Sequence, residues 1–209
     1  TDGSINLRLL NSVIDFEFST EVDTVKEINL LAAVTNAVLE KTDNGNAASA
    51  ALLTKENLIK LSLGTLDSAS ASDIAGVLES IAAQRDGTNI DTQGRLQSLV
   101  NFYMLQPLPS IGLKTDSGIN AIDLKSNDSS LNFTKAVSTA AGTSIVVSLE
   151  ESGTYGSVDV YNNSLKPQTS GTYTVWARLV NDQGFLGRRQ SFTFTLDVNG
   201  PPAIKLNTN

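Results

Sequence analysis

Residues 171–202 carry the pattern that most constrains the fold of this chain. Two runs of residues alternate strictly between apolar and polar side chains, a period typical of strands that bury one face. The apolar positions of the two runs are Tyr173, Val175, Ala177, Leu179 and Phe192, Phe194, Leu196, Val198. The segment between the runs contains the turn-forming residues Asn181, Asp182, Gly184 and Gly187. The pattern predicts the last antiparallel hairpin of a β-sandwich, ending near Asn199 because two prolines follow.

Size and composition limit the class of protein. A chain of 209 residues with 40% hydrophobic residues is long enough for one large or two modest domains. It has no cysteine and no histidine, so disulfides, thiolate metal sites and the commonest general base are excluded, and we expect no enzyme.

A formal charge of −7 argues against nucleic acid as a partner. The sequence contains no apolar run long enough to predict membrane insertion. The start at Thr1, without a methionine or signal pattern, predicts a piece of a longer protein.

Residues 21–106 show a helical period, and we expect a helical bundle there. Helix caps are predicted at Asp23 or Thr24, at Thr54, at Ser72 or Asp73, and at Asp91 or Thr92. The first helix carries an apolar stripe from Val25 and Ile28 to Leu39. Gly76 and Gly94 are predicted at close helix contacts.

The apolar residues of 1–20 follow neither the helical period nor the alternating period of a strand. We expect a lead-in strand or short helix that packs on the bundle, with Asn11 or Ser12 as a cap. The bundle is predicted to end at 106–110, where two prolines stand.

From 107 to 200 the composition shifts to Ser, Thr, Asn, Gly and Val. The candidate strands are residues 111–114, 130–135, 144–150, 157–161, 172–180 and 190–198. Their number and spacing predict an immunoglobulin-like antiparallel β-sandwich. We place Trp176 in the core of this sandwich, and we take 201–209 as a linker or the start of a next module.

The β half resembles the bacterial immunoglobulin-like domains that are repeated in very large surface adhesins. The resemblance rests on an early segment with Asp116 and Asp123, a late loop with Asp182, and a closing Asp197 before Pro201. The helical half is similar to the alanine-rich modules of biofilm-type adhesins. It shares with them the phrases at 21–31 and 53–64.

The resemblance implies that the loops carrying Asp116, Asp123, Asp182 and Asp197 gather at one end of the sandwich, where their carboxylates can bind Ca²⁺. The alternative is that these aspartates only form turns. Both remain open from the sequence.

The function implied by the resemblance is that of a non-enzymatic extender in cell adhesion or biofilm formation. Such a module is monomeric, extracellular and at the bacterial cell surface, with neighbouring modules of the same chain as partners. The alternative is a module that binds a carbohydrate or a peptide.

Overall fold

The computed structural model describes residues 3–16, 24–42, 45, 49–117 and 123–199, with side chains from Leu7 onward. The fold is α+β and divides into two compact units. The first unit contains the described residues up to Gln106 together with Ala140–Thr143 and Val180–Arg188. The second contains Pro107–Thr139, Ser144–Leu179 and the chain from Arg189 onward. The units are therefore discontinuous in sequence, which the sequence patterns do not indicate.

Helices dominate the first unit. Its described helices are α1 (Gly3–Phe16), α2 (Val25–Glu40), α3 (Lys55–Ile59), α4 (Ala71–Ala82) and α5 (Gln93–Leu105), whereas the short α6 (Val158–Val160) lies in the second unit. Short 3₁₀ turns lie at Ala50–Leu52, Gly64–Leu66 and Thr88–Ile90.

Side-chain caps explain where these helices begin. The Thr24 hydroxyl accepts a hydrogen bond from the Glu27 amide at 3.2 Å, and the Glu27 carboxylate accepts one from the Thr24 amide at 3.0 Å. Thr54 and Thr92 cap α3 and α5 as predicted. The predicted cap of α4 is wrong, because Ser70 takes that position and its partner Asp73 completes a capping box from inside the helix.

The predicted stripe of α2 is buried only from Leu31 onward. Leu31 is 4% exposed and Val34 is fully buried, whereas Val25 is 75% and Ile28 is 40% exposed. Gly76 of α4 is a close contact as predicted, since an added Cβ would overlap the Tyr103 ring. The same prediction is wrong for Gly94, which has open space around it.

Helix α1 replaces the predicted strand or short helix. Its 14 residues place Asn11 and Ser12 inside the helix rather than at a cap. Leu9 and Val13 are fully buried, and the Ser12 hydroxyl accepts a hydrogen bond from the Gln93 amide at 3.0 Å. The segments on either side of α1 lie outside the described residues.

The second unit is built from two sheets. The strands are β1 (Ser110–Leu113), β2 (Lys125–Ser126), β3 (Leu131–Thr134), β4 (Thr143–Ser148), β5 (Gly156–Ser157), β6 (Gly171–Asn181) and β7 (Leu186–Leu196). One sheet pairs β1 with β3, and the other has the order β2-β7-β6-β4-β5. Strand β7 starts at Leu186, ahead of the predicted 190, because the hairpin turn is shorter than expected.

Both sheets contribute to one core. The fully or almost fully buried members are Leu131, Val147, Tyr161, Val175, Ala177, Phe194 and Leu196. Ile111, Leu113 and Phe133 of the smaller sheet pack against them. The alternation predicted for the final hairpin is confirmed at Val175, Ala177 and Phe194, which face this core. It is wrong at Val198, which lies beyond the end of β7 and is 47% exposed.

Two predictions about the second unit are wrong. Trp176 is only half-buried, because the opposite face of β6 supplies the core residues Val175 and Ala177. Residues 157–161 are helical beyond Ser157, whose hydroxyl accepts a hydrogen bond from the Val160 amide at 3.3 Å. A π-helical turn, Tyr161–Leu165, follows. It buries Tyr161, whose hydroxyl donates to the Ser129 carbonyl at 3.0 Å.

Candidate functional site

The four aspartates predicted to bind calcium belong to different units. Asp182 lies in the first unit, whereas Asp116, Asp123 and Asp197 lie in the second. Asp123 accepts a hydrogen bond from the Lys125 amide at 3.1 Å, and Asp197 accepts one from the Asn199 amide at 3.2 Å. Both therefore have the turn-forming geometry of the alternative interpretation. Within the described residues, no group of three or more acidic, histidine or cysteine side chains could hold a metal ion. The calcium site stays a prediction.

A short parallel ladder joins the first and last parts of the second unit. Strand β2 pairs with the end of β7 in the register Lys125↔Thr195 and Ser126↔Leu196. The Thr195 amide donates to the Leu124 carbonyl at 3.0 Å, and the Asp197 amide donates to the Ser126 carbonyl at 2.8 Å. We call this pairing the terminal ladder.

Ser126 holds the terminal ladder from within. The residue is 2% exposed. Its hydroxyl donates to the Thr115 carbonyl at 2.6 Å and accepts from the Asp128 amide at 3.1 Å. Because the hydroxyl is buried with both a donor and an acceptor partner, β2 is fixed despite its length of two residues.

The tip of the β6–β7 hairpin is part of the first unit. Gly184 takes a left-handed conformation with φ of 79°, and Phe185 beside it is 1% exposed. The Phe185 ring meets the Phe102 ring of α5 edge-on at 6.5 Å between centroids.

Polar side chains of α4 and of the residues just after it bind the same tip. The Gln84 side-chain amide donates to the Gly184 carbonyl at 3.2 Å, and the buried Ser80 hydroxyl accepts from the Leu186 amide at 2.9 Å. At the end of the tip, the Arg188 guanidinium lies 3.0 Å from the Asp73 carboxylate. Partial burial raises the pKa of Asp73, but hydrogen bonds from Ser70 and the charge of Arg188 outweigh it and hold that pKa below its usual value.

A cleft of about 470 Å³ opens in the second unit. Its lining residues are Lys114, Ser130, Leu131, Asn132, Phe133, Val158, Asn162 and Lys166. Lys114 and Lys166 are the charged members of this lining.

One of the two lysines is fixed by neighbours. The Lys166 ammonium lies 2.9 Å from the Asp128 carboxylate and donates to the Ser130 hydroxyl at 2.7 Å. The hydrogen bond from Lys166 holds the pKa of Asp128 below its usual value, against the opposing effect of burial. Burial also raises the pKa of Tyr161, and the charge of Asp128 adds to that shift. Lys114 forms no ion pair with a described residue, and its side chain is exposed.

Sequence reasoning did not find the terminal ladder or the cleft. Strand β2 is too short to show alternation, and its parallel partner lies about 70 residues further along the chain. The lysines of the cleft are 52 positions apart, at 114 and 166, and neither belongs to a motif. The one local signal is the polar run 126–130, which is typical of a turn that fixes its surroundings.

Comparison of the chain with protein-family models, with curated proteins and with solved structures found no significant match. Among the described residues, no helix has the length and apolar character needed to cross a membrane.

Proposed function

We propose that this chain is a non-enzymatic extender module of a large bacterial surface adhesin, in which it carries tension along the polypeptide. The observation that carries the proposal is the terminal ladder. One of its strands, β2, follows β1 in the early part of the second unit, the other is the end of β7, and the two run parallel. Pulling on the chain before β2 and after β7 therefore slides the strands along each other, so that both ladder hydrogen bonds are loaded together.

The second unit is proposed to be an immunoglobulin-like sandwich. In that fold the last strands lie in the order G-F-C within one sheet, and here β7, β6 and β4 are neighbours in the same order. The smaller sheet and the larger sheet share one core, as the two sheets of a sandwich do. The helical segment from Val158 onward departs from the all-strand pattern.

The proposed setting is extracellular, at a bacterial cell surface, with neighbouring modules of the same chain as partners. The lack of cysteine and histidine supports a mechanical rather than a catalytic role, because a thiol nucleophile and the commonest general base are missing.

Removing one ladder hydrogen bond tests the proposal. We expect Asp197→Pro to lower the force at which the terminal ladder separates in single-molecule pulling between a cysteine placed at Lys125 and the C-terminal end of the chain. Proline has no amide hydrogen, so the bond to the Ser126 carbonyl is lost. Asp197 lies just beyond β7, so the pairing of β6 with β7 stays intact.

Asn199→Pro is the matched control. It also removes one amide donor, but that amide bonds only the neighbouring Asp197 carboxylate. Asp197→Pro removes this carboxylate together with its own amide hydrogen, so it loses both the ladder bond and the Asn199 bond, whereas Asn199→Pro loses only the Asn199 bond. The two variants therefore differ by the ladder bond, which is worth about 1 kcal/mol in the free energy of unfolding. Equal unfolding forces for the two variants would show that the terminal ladder does not bear the tension.

A further inference from the structure

Within the described part of the chain, strand β3 has one edge that is paired and one that is open. Its register against β1 runs from Ser110↔Thr134 to Leu113↔Leu131. The Lys114 amide donates to the Ser130 carbonyl at 2.9 Å, so the pair 114 and 130 is a hydrogen-bonded pair. Pairs alternate along an antiparallel ladder, and the pairs that contain Leu131 and Phe133 are thus the non-hydrogen-bonded ones.

The backbone groups of Leu131 and Phe133 consequently point away from β1. Their amide and carbonyl groups form no hydrogen bond with another described residue. The order of the smaller sheet is β1-β3, so β3 ends that sheet on this side. An edge of unpaired donors and acceptors is a template for a further strand.

Strand β3 contributes to the lining of the cleft. Leu131, Asn132 and Phe133 of β3 and the preceding Ser130 line it together with Val158, Asn162 and Lys166. A volume of about 470 Å³ lies within the range of known ligand sites. The backbone template and the space to use it therefore occur at the same place.

We infer that this cleft binds an extended acidic peptide, which adds a strand to the open edge of β3 and places its carboxylates against Lys114 and Lys166. Binding of this kind takes its affinity from main-chain hydrogen bonds and its specificity from side-chain contacts. The peptide site goes beyond the proposed extender role, because it uses β3 rather than the terminal ladder. The peptide site and the extender role can therefore each be wrong while the other holds.

The charges predict the direction of the peptide. Both lysines lie at the Ser130 end of β3, since the Lys114 amide bonds the Ser130 carbonyl and the Lys166 ammonium bonds the Ser130 hydroxyl. Antiparallel pairing is the more stable arrangement per residue. An antiparallel peptide has its C-terminal end beside Ser130, so its acidic residues belong at that end.

The open backbone groups of Leu131 and Phe133 favour a peptide over an acidic saccharide, because an extended peptide presents amide and carbonyl groups at the spacing of a neighbouring strand. Asn132 and Asn162 offer amides that suit either class of ligand. The saccharide is therefore the competing outcome of the test.

The experiment is an NMR titration of the full chain with the blocked peptide acetyl-Thr-Val-Thr-Val-Glu-Asp-amide. We expect saturable shifts of the Leu131 and Phe133 amides and slower hydrogen exchange at both. Methylation of the two valine nitrogens removes edge donors, and this peptide is expected to lose binding. A peptide with Glu-Asp moved to the N-terminal end is expected to bind more weakly.

Two lysine variants test the charge contacts. Lys114→Gln is expected to weaken binding about two- to fivefold, the range of an exposed ion pair. Lys125→Gln is the matched control, because this lysine is also exposed but does not line the cleft. The inference is overturned if the amides of Leu131 and Phe133 do not respond at millimolar peptide, or if the methylated peptide binds equally well. It is also overturned if an oligosaccharide of uronic acids produces the shifts and the peptide does not.

Discussion

Phe185→Ala is expected to destabilise the first unit by about 3–5 kcal/mol, the usual cost of removing a buried phenylalanine side chain. Phe185 is 1% exposed although it lies in a hairpin turn. Its ring packs edge-on against Phe102 of α5. The truncation leaves a cavity beside α5, and no polar group of the turn can fill it.

Hydrogen exchange measured residue by residue, together with urea unfolding, checks this expectation. The amides of α4 and α5 are expected to exchange faster in the variant, because both helices belong to the unit that the tip completes. Val198→Ala is the control, since Val198 is an apolar residue near the same hairpin but is 47% exposed. A Phe185→Ala protein as stable as the Val198→Ala protein would mean that the tip does not complete the first unit.

Asp91→Ala is expected to cost about 1.5–3 kcal/mol, the range for hydrogen bonds with charged groups. The Asp91 carboxylate is 1% exposed and lies 2.9 Å from the Arg8 guanidinium and 2.6 Å from that of Arg95. It therefore ties α1 to the start of α5. Both arginines are more than half exposed, so water partly compensates them when the carboxylate is removed, and the cost stays below that of a fully buried pair.

Thermal and urea unfolding measure this cost. Asp15→Ala is the control, because Asp15 is an exposed aspartate of α1. Asp91→Asn is expected to fall between the two, since the amide oxygen still accepts a hydrogen bond but carries no charge. Equal stability of Asp91→Ala and Asp15→Ala would contradict the assigned role of the ion pairs.

The sequence predicts those parts of the fold that depend on near neighbours. The caps Thr24, Thr54 and Thr92 bond amides three residues away, and strict alternation identifies which residues of β6 and of β7 share a face. The prediction for residues 157–161 is wrong because Ser157 caps a helical turn and the core takes Tyr161 from it. A short alternating run does not distinguish these two outcomes.

The candidate sites depend on distant neighbours, and for this reason they are not visible in the sequence. The terminal ladder joins Lys125 to Thr195, and the cleft joins the end of β1 to Lys166. Trp176 illustrates the same limit. Alternation places it opposite Val175, but only the second sheet determines which of the two faces is buried.

The direction of pulling tests the extender role most directly. The chain has no cysteine, so engineered cysteines provide unique attachment points. With Lys125→Cys and Asn199→Cys, tension runs along the terminal ladder and loads its hydrogen bonds together. With Lys125→Cys and Thr195→Cys, tension acts across the pair that the register places side by side. The proposal predicts a clearly higher unfolding force for the first pair of attachments, and equal forces, or a higher force for the second pair, would contradict it.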